Sequence, residues 1–224
     1  MAATVLLTGE QRSALLELLS NLSVVFWGPD LSRCRLIRGK GHFQPFDCLA
    51  PVLGNPAREA LEKLIALVQG YPDAPALFDS LEEDYIPLFV NARGGIAAPF
   101  YQSCYAATLS SPDANALMGA PAVMMQQRLS AAGLSLEHSS NEPPDHLAIE
   151  IEYLYFLLQK GWGGNDAARL PEAAAFVRTE MLGWVPSFEE RLRVAAPNSF
   201  YTLTAAILVG ALRLIDSFYS TLKT

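Results

Sequence analysis

The chain is poor in the residues that mark metal, disulfide and nucleic-acid chemistry. Its 224 residues hold three cysteines, Cys34, Cys48 and Cys104, odd in number, far apart and without a C-x-x-C pair. That argues against a disulfide framework or a zinc finger and fits a reducing cytoplasm. The three histidines, His42, His138 and His146, form no H-x-x-x-H or E-x-x-H pair, so no helical ligand pair is spelled out. Glu150, four residues after His146, is the one co-ligand in reach, and an exposed i,i+4 pair explains it more simply. Charged residues make up only 17%, and basic ones gather only as Arg33, Arg35, Arg38 and Lys40. With a net charge of -7, nucleic acid is not an expected partner, whereas a basic peptide suits the acidic balance. Gly94-Gly95 and Gly161-Trp162-Gly163-Gly164 lack a Walker lysine and a preceding strand, and read as turns. Met1 to Leu7 has no basic stretch before its apolar residues, so no secretion signal is expected. The run Tyr201 to Leu212 is uncharged but short for a bilayer, which predicts a core helix and no stable membrane insertion.

What the chain does have is apolar content, 51%, enough for a core, and a length that fits one domain over 1–224. No segment alternates with period two over strand length, while three-and-four spacing recurs throughout. Leu15, Leu18, Leu19, Leu22 and Phe26 make one stripe, with Thr8 and Gln11 at capping-box spacing ahead and Gly28-Pro29 behind. Residues 29 to 54 read mostly as loop, with a short helix over Leu31 to Ile37. Asn55-Pro56 opens a helix that Gly70 closes. The next starts near Pro75 and carries Leu77, Leu81, Tyr85, Leu88 and Phe89, with Pro87 loosening its last turn. Residues 91 to 110 read as loop, and Ser111-Pro112 starts a helix to about Ala132. A helix from about 144 to 160 follows, stopped by Gly161. Pro171 opens another to about Leu182, Trp184-Val185-Pro186 breaks the line, and 186–195 is helical again. Asn198 is expected to cap the final helix. The sum is an all-α, single-domain bundle of about eight or nine helices.

Chemistry concentrates in Asn141-Glu142-Pro143-Pro144-Asp145-His146, two carboxylates and an imidazole beside two prolines at a helix start. One reading is a helical hydrolase or metal-dependent enzyme using the Asp145/His146 region. Adjacent helical residues point a quarter-turn apart, however, so the two cannot form a triad-like pair, and no nucleophile is marked nearby. The plainer reading makes Asp145 a cap for amides and His146 a group bonded to a carbonyl. A second feature is the aromatic loop Pro99-Phe100-Tyr101-Gln102-Ser103-Cys104-Tyr105, which reads equally as the lining of a peptide groove or as a core plug. Trp184, Pro186 and Phe188 read as a helix-corner packing cluster.

Four elements occur in one order: Tyr85-x-x-Leu88-Phe89, Pro99-Phe100-Tyr101-Gln102-Ser103-x-Tyr105, Glu142-Pro143-x-Asp145-His146, and Phe176 through Met181-Leu182-x-Trp184-x-Pro186-x-Phe188. Phe200-Tyr201 and a long apolar helix follow. This order resembles the TorD/DmsD/NarJ family of redox-enzyme maturation chaperones over roughly residues 10 to 220. The resemblance implies a cytoplasmic, all-helical, non-enzymatic protein with a TorD-like fold. Its partner would be the precursor of a molybdopterin-containing oxidoreductase catalytic subunit, held by its twin-arginine signal peptide or in apo form until the molybdopterin guanine dinucleotide cofactor is inserted. That cofactor belongs to the client, and the chaperone holds none stably. The implied peptide-binding residues are Tyr85, Leu88, Phe89, Pro99, Phe100, Tyr101, Ser103, Glu142, Pro143, Asp145 and His146, without catalytic or metal-binding residues. Glu142 and Asp145 are expected to face the arginines, the aromatics to line the groove, and His146 to be a polar anchor titrating near neutral pH. Where the family loop often has Pro-Pro-aromatic-Glu-Ser, this chain has Gln102 in place of the acid. A monomer or a domain-swapped dimer is expected.

Overall fold

Helix formation follows the apolar stripes and their caps closely. The computed structural model describes residues 7–39, 41–91, 95–105, 119–136, 142–164, 166 and 168–220, the last three by backbone alone. Among these residues there are nine α-helices and no strand. Helix α1 (Gly9–Phe26) starts on the Thr8/Gln11 capping box and buries Leu15, Leu18, Leu19, Leu22 and Phe26. Gly28 follows at φ 113°, the left-handed conformation that reverses the chain cheaply only at glycine. Helix α2 (Leu31–Ile37) is capped by Asp30, which accepts from the Arg33 amide. Helix α3 (Asn55–Gly70) ends where the sequence predicts, but Gly54 is its cap and Asn55 lies inside the first turn.

Helix α4 (Ala74–Tyr85) is capped by Asp73 and runs into a widened π-helical turn, Ile86–Val90. Pro87 sits in that turn, so the expected loosening takes the form of one extra residue per turn rather than a kink. Helix α5 is described over Ala120–Ala131, and the expected start at Ser111-Pro112 lies outside the described residues. Helix α6 (Leu147–Trp162) is capped by His146 and ends one residue past Gly161, next to the expected stop. Gly161 is there for space: a Cβ would stand 2.3 Å from Leu170 Cδ2.

Helix α7 (Arg169–Phe176) continues through a second π-helical turn, Val177–Met181, into helix α8 (Leu182–Ala195). The break expected at Trp184–Pro186 is absent, because the wide turn just upstream takes up the bend and Pro186 lies within α8. Helix α9 (Phe200–Ser220) is preceded by Asn198 at φ 61°, but Ser199 supplies the capping oxygen, accepting from the Thr202 amide.

The core is one continuous apolar cluster. Helix α9 packs against α3 and α8, α1 against α6, and α6 against α7. Phe200–Ser217 is long and apolar enough to cross a membrane, more than the run Tyr201 to Leu212 promised, yet 78% of it is buried inside the bundle, as a core helix requires. Arg178 pairs with Asp216 at 2.7 Å and ties the second wide turn to α9. The α3/α9 contact is closest at Gly210, where a Cβ would stand 2.2 Å from Ala57 Cβ. Gly210→Ala therefore forces two backbones apart. Its overpacking cost, about 1–3 kcal/mol, exceeds the gain of about 1 kcal/mol in helix propensity. Urea unfolding should show a lower midpoint for G210A, partly restored by adding Ala57→Gly.

Candidate functional site

The two motifs that are far apart in sequence meet through the backbone. The Gln102 amide donates to Asp145 O at 3.1 Å, and the Leu147 amide donates to Phe100 O at 2.8 Å. These bonds form a single antiparallel bridge between Tyr101 and His146. Pro143 and Pro144 open a tight turn just before α6, closed by the His146 amide donating to Pro143 O at 3.0 Å, and this turn delivers Asp145 and His146 to the aromatic loop.

Asp145 completes the junction from inside. Its Oδ2 accepts the Ser103 amide at 2.8 Å and also the Ser103 hydroxyl. Both residues are buried, Asp145 at 0% and Ser103 at 1% exposure. This corrects the expectation that Asp145 faces an arginine. The charge is spent capping a turn of the aromatic loop, and the side chain has no surface to offer. The Ser103 hydroxyl is equally closed to a substrate, so the pair acts as a structural tie.

His146 is buried as well, at 4% exposure. Its Nδ1 accepts the Ala148 amide at 3.2 Å, so it caps α6 rather than bonding a carbonyl. The neutral ring then carries its proton on Nε2. Burial pushes its pKa down to about 4, against the raising influence of Glu142 and Asp145. The expected charge change near neutral pH is therefore replaced by an imidazole that stays neutral there, because desolvation outweighs two acidic neighbours. Trp27, which sequence reasoning passed over, stacks on His146 with ring centroids 4.8 Å apart and donates from Nε1 to Glu152 Oε1 at 2.8 Å. The only hint was a large aromatic in the last position before the Gly28-Pro29 stop.

Glu142 behaves differently. It is half-buried at the rim and accepts the Tyr101 hydroxyl through Oε2 at 2.6 Å. Burial first, and then that carboxylate, raise the Tyr101 pKa, so the phenol stays protonated and donates. Tyr85 is half-buried too, its pKa raised by burial and by the charge of Glu142. Pro99 and Pro143 share this partly exposed rim.

Among the described residues the rings do not line an open trough. Leu88, Phe89 and Phe100 are buried, and Phe89 stacks on Phe100 with centroids 4.1 Å apart. Phe26, edge-on, and Phe188, tilted, close the layer, each with its ring centroid 5.9 Å from that of Phe100. The loop is thus a core plug on its inner side, while Pro99, Tyr101, Glu142 and Pro143, with Tyr85, stay partly exposed at the surface side. Trp184 and Phe188 are buried, as the packing-cluster reading expected.

Below the junction lies a second acid that the sequence disguised. Glu150 is 1% exposed, not the outward partner of an i,i+4 pair. Its Oε2 accepts Trp184 Nε1 at 3.1 Å, and its Oε1 has no partner among the described residues. Burial raises its pKa well above 4.5. The signal was there in the neighbours: Ile149 and Ile151 flank it on a helix apolar on nearly every face, which marks a buried helix.

The match to known proteins falls on this same region. The family model described as nitrate reductase delta subunit matches residues 50–190, more than half of the chain. The chaperone protein TorD of Vibrio cholerae (strain M66-2) is 32% identical over 58% of this chain and 58% of its own length. That relative is therefore matched over less than two thirds of its length. The chaperone protein TorD of Aliivibrio fischeri is 30% identical over 75% of each chain. A solved structure from Archaeoglobus fulgidus, described provisionally as a redox enzyme maturation protein, aligns over 98% of this chain and 99% of that one at 20% identity and a TM-score of 0.48, too loose a likeness to carry weight. Between them, the matched model and relatives cover the π-helical turn, the aromatic loop and the α6 entrance, and the chain belongs to the nitrate reductase delta subunit family, on its TorD side.

Proposed function

We propose that the chain is a cytoplasmic maturation chaperone for the catalytic subunit of a molybdopterin-containing oxidoreductase. It would hold the precursor by its twin-arginine leader, or in apo form, until the molybdopterin guanine dinucleotide cofactor has been inserted. The proposal assigns the chain no catalytic step and no cofactor of its own. The relatives that are named chaperones support the class of activity.

The observation that carries the reading is the junction itself. The backbone bridge holds Glu142 at an accessible rim, oriented by Tyr101, with Tyr85 beside it. A carboxylate fixed in this way can take a guanidinium in two-pronged fashion without first losing side-chain freedom. The net charge of -7 draws a basic leader in. Of the two acids, Glu142 takes the arginine-facing role and Asp145 is its scaffold.

Calorimetry with a synthetic twin-arginine leader peptide tests this. Glu142→Gln keeps an oxygen for Tyr101 but removes the charge. It should weaken binding by about tenfold and flatten the salt dependence. Replacing the arginine pair of the peptide by glutamine should produce the same loss, and no further loss on E142Q. Equal affinity of wild type and E142Q for the arginine peptide would remove Glu142 from the site.

A further inference from the structure

We infer that the apolar stretch of the same leader lies in the cleft between α1, α2 and α9, a placement that rests on the function proposed above. The cleft holds about 420 Å³, inside the range of roughly 300–1,000 Å³ usual for ligand pockets. Its walls include Leu22 and Val25 of α1, Ile37 of α2, Phe43, Leu64 of α3 and Ile207 of α9. None of these residues carries any part of the motifs around Glu142.

Three observations select the occupant. The aromatic layer behind Glu142 is filled by its own rings, so an apolar peptide segment finds no trough there. The cleft, by contrast, opens next to the junction. Trp27 stacks on His146, and its chain neighbour Gly28 lines the cleft. Tyr85 touches both sides, its ring centroid 6.0 Å from that of Phe100 in the aromatic loop. Its phenol senses the charge of Glu142 and stands 3.3 Å from where a Gly28 Cβ would be. A chain whose arginines sit at Glu142 can therefore continue past Tyr85 and Gly28 into the cleft.

The rim supplies the third observation, its charge. Glu17 and Asp30 line the cleft and are exposed. Arg33, the basic side chain in the lining, is drawn inward and donates to Val24 O at 2.9 Å. His42 in the lining is kept neutral by burial, which lowers its pKa. The mouth thus carries no excess of positive charge and suits an apolar segment that follows an arginine pair. A fatty acid would bring a carboxylate to two acids.

Two peptides and three variants separate the possibilities. One peptide carries the arginine pair followed by a leucine stretch, and the other has serines in place of the leucines. Val25→Trp and Ile37→Trp fill the cleft. Each should weaken the leucine peptide by about tenfold or more, the worth of burying one or two aliphatic side chains, and leave the serine peptide unchanged. E142Q should weaken both. On the wild-type protein, methyl NMR signals of Val25, Ile37 and Ile207 should move with the leucine peptide and stay still with the serine peptide, which keeps the test valid if a tryptophan variant folds poorly. Methyl signals unmoved by the leucine peptide, with E142Q still weakening it, would overturn the cleft and leave the leader reading intact. Binding of neither peptide to the wild type would overturn both. Methyl shifts produced by oleate and not by the leucine peptide would make the cleft a lipid site and overturn the inference.

Discussion

Asp145→Ala should lower the unfolding free energy by about 3–5 kcal/mol, among the largest losses any single substitution in this chain would cause. The carboxylate accepts two hydrogen bonds from Ser103, one at 2.8 Å from its amide and one from its hydroxyl, in a place that water does not reach. Bonds to a charged group are worth about 1.5–3 kcal/mol each, and deleting the acceptor leaves two donors buried and unpaired. Ser103→Ala removes only the hydroxyl and should cost less. The double variant should show a coupling of about 1–3 kcal/mol in a thermodynamic cycle measured by urea unfolding. Glu142→Gln, at the rim, should stay within about 0.5 kcal/mol of wild type. This contrast separates scaffold from contact: loss of peptide binding in D145A would follow loss of structure, whereas loss in E142Q would not. A D145A protein with wild-type stability would mean that Asp145 is not a tie at all.

The second large effect is a pair of opposing pH dependences within α6. His146 has its pKa depressed from 6.5 to about 4 by burial. The unfolded chain then binds a proton more readily than the folded one over that interval. The stability His146 contributes is complete above about pH 6.5 and is lost as pH falls towards 4, about 3 kcal/mol at 1.36 kcal/mol per unit. Glu150 runs the other way. Its pKa is raised well above 4.5 by burial, so it costs nothing below 4.5 and destabilises the fold progressively as pH rises from there towards its folded-state pKa. Between 4.5 and 6.5 the two slopes oppose each other, and the wild type should vary less with pH than either group would dictate. His146→Asn keeps an oxygen to cap the Ala148 amide and removes the imidazole, so its stability should fall as pH rises through this window. Glu150→Gln keeps an oxygen for Trp184, so its stability should rise with pH and exceed that of wild type near neutrality. Urea unfolding of the three proteins at several pH values checks both signs. Parallel profiles would show that neither group titrates as its burial demands.

Helices were readable from the sequence wherever an apolar stripe had a local signal at its end. Thr8 with Gln11 and the stripe through Phe26 predicted α1, and Leu31 to Ile37 was recognised as a separate short helix. Punctuation misled where a proline was answered by something distant. Gly161 marks the end of α6 to within one residue, though what requires its bare backbone is Leu170 on the next helix. Pro186 looked like a break because the turn that absorbs its bend lies upstream and has no signature of its own. The site divides along the same line. The meeting of the aromatic loop with the α6 entrance came from family resemblance, and no local pattern states it. Whether an acid points in or out was not legible at all: Glu142 and Asp145 are three residues apart, yet one lies at the rim and the other in the core. That outcome depends on Ser103 and Tyr101 arriving from another part of the chain. The open groove expected at the aromatic loop is filled by its own rings for a related reason, since aromatic content does not say whether the rings stack on each other or on a guest.

The Ser103–Asp145 tie also bears on how this architecture can vary. It pins the base of the intervening stretch, so the chain from one end to the other behaves as a ring closed at a fixed point. The entropy of closing such a ring changes by only about 0.6 kcal/mol for each doubling of its length. The ring is not slack throughout, since it includes α5, which buries Ala122, Met125 and Leu129, and Glu142 itself; a change of length elsewhere in it should leave the clasp in place, whereas one within α5 or next to Glu142 should not.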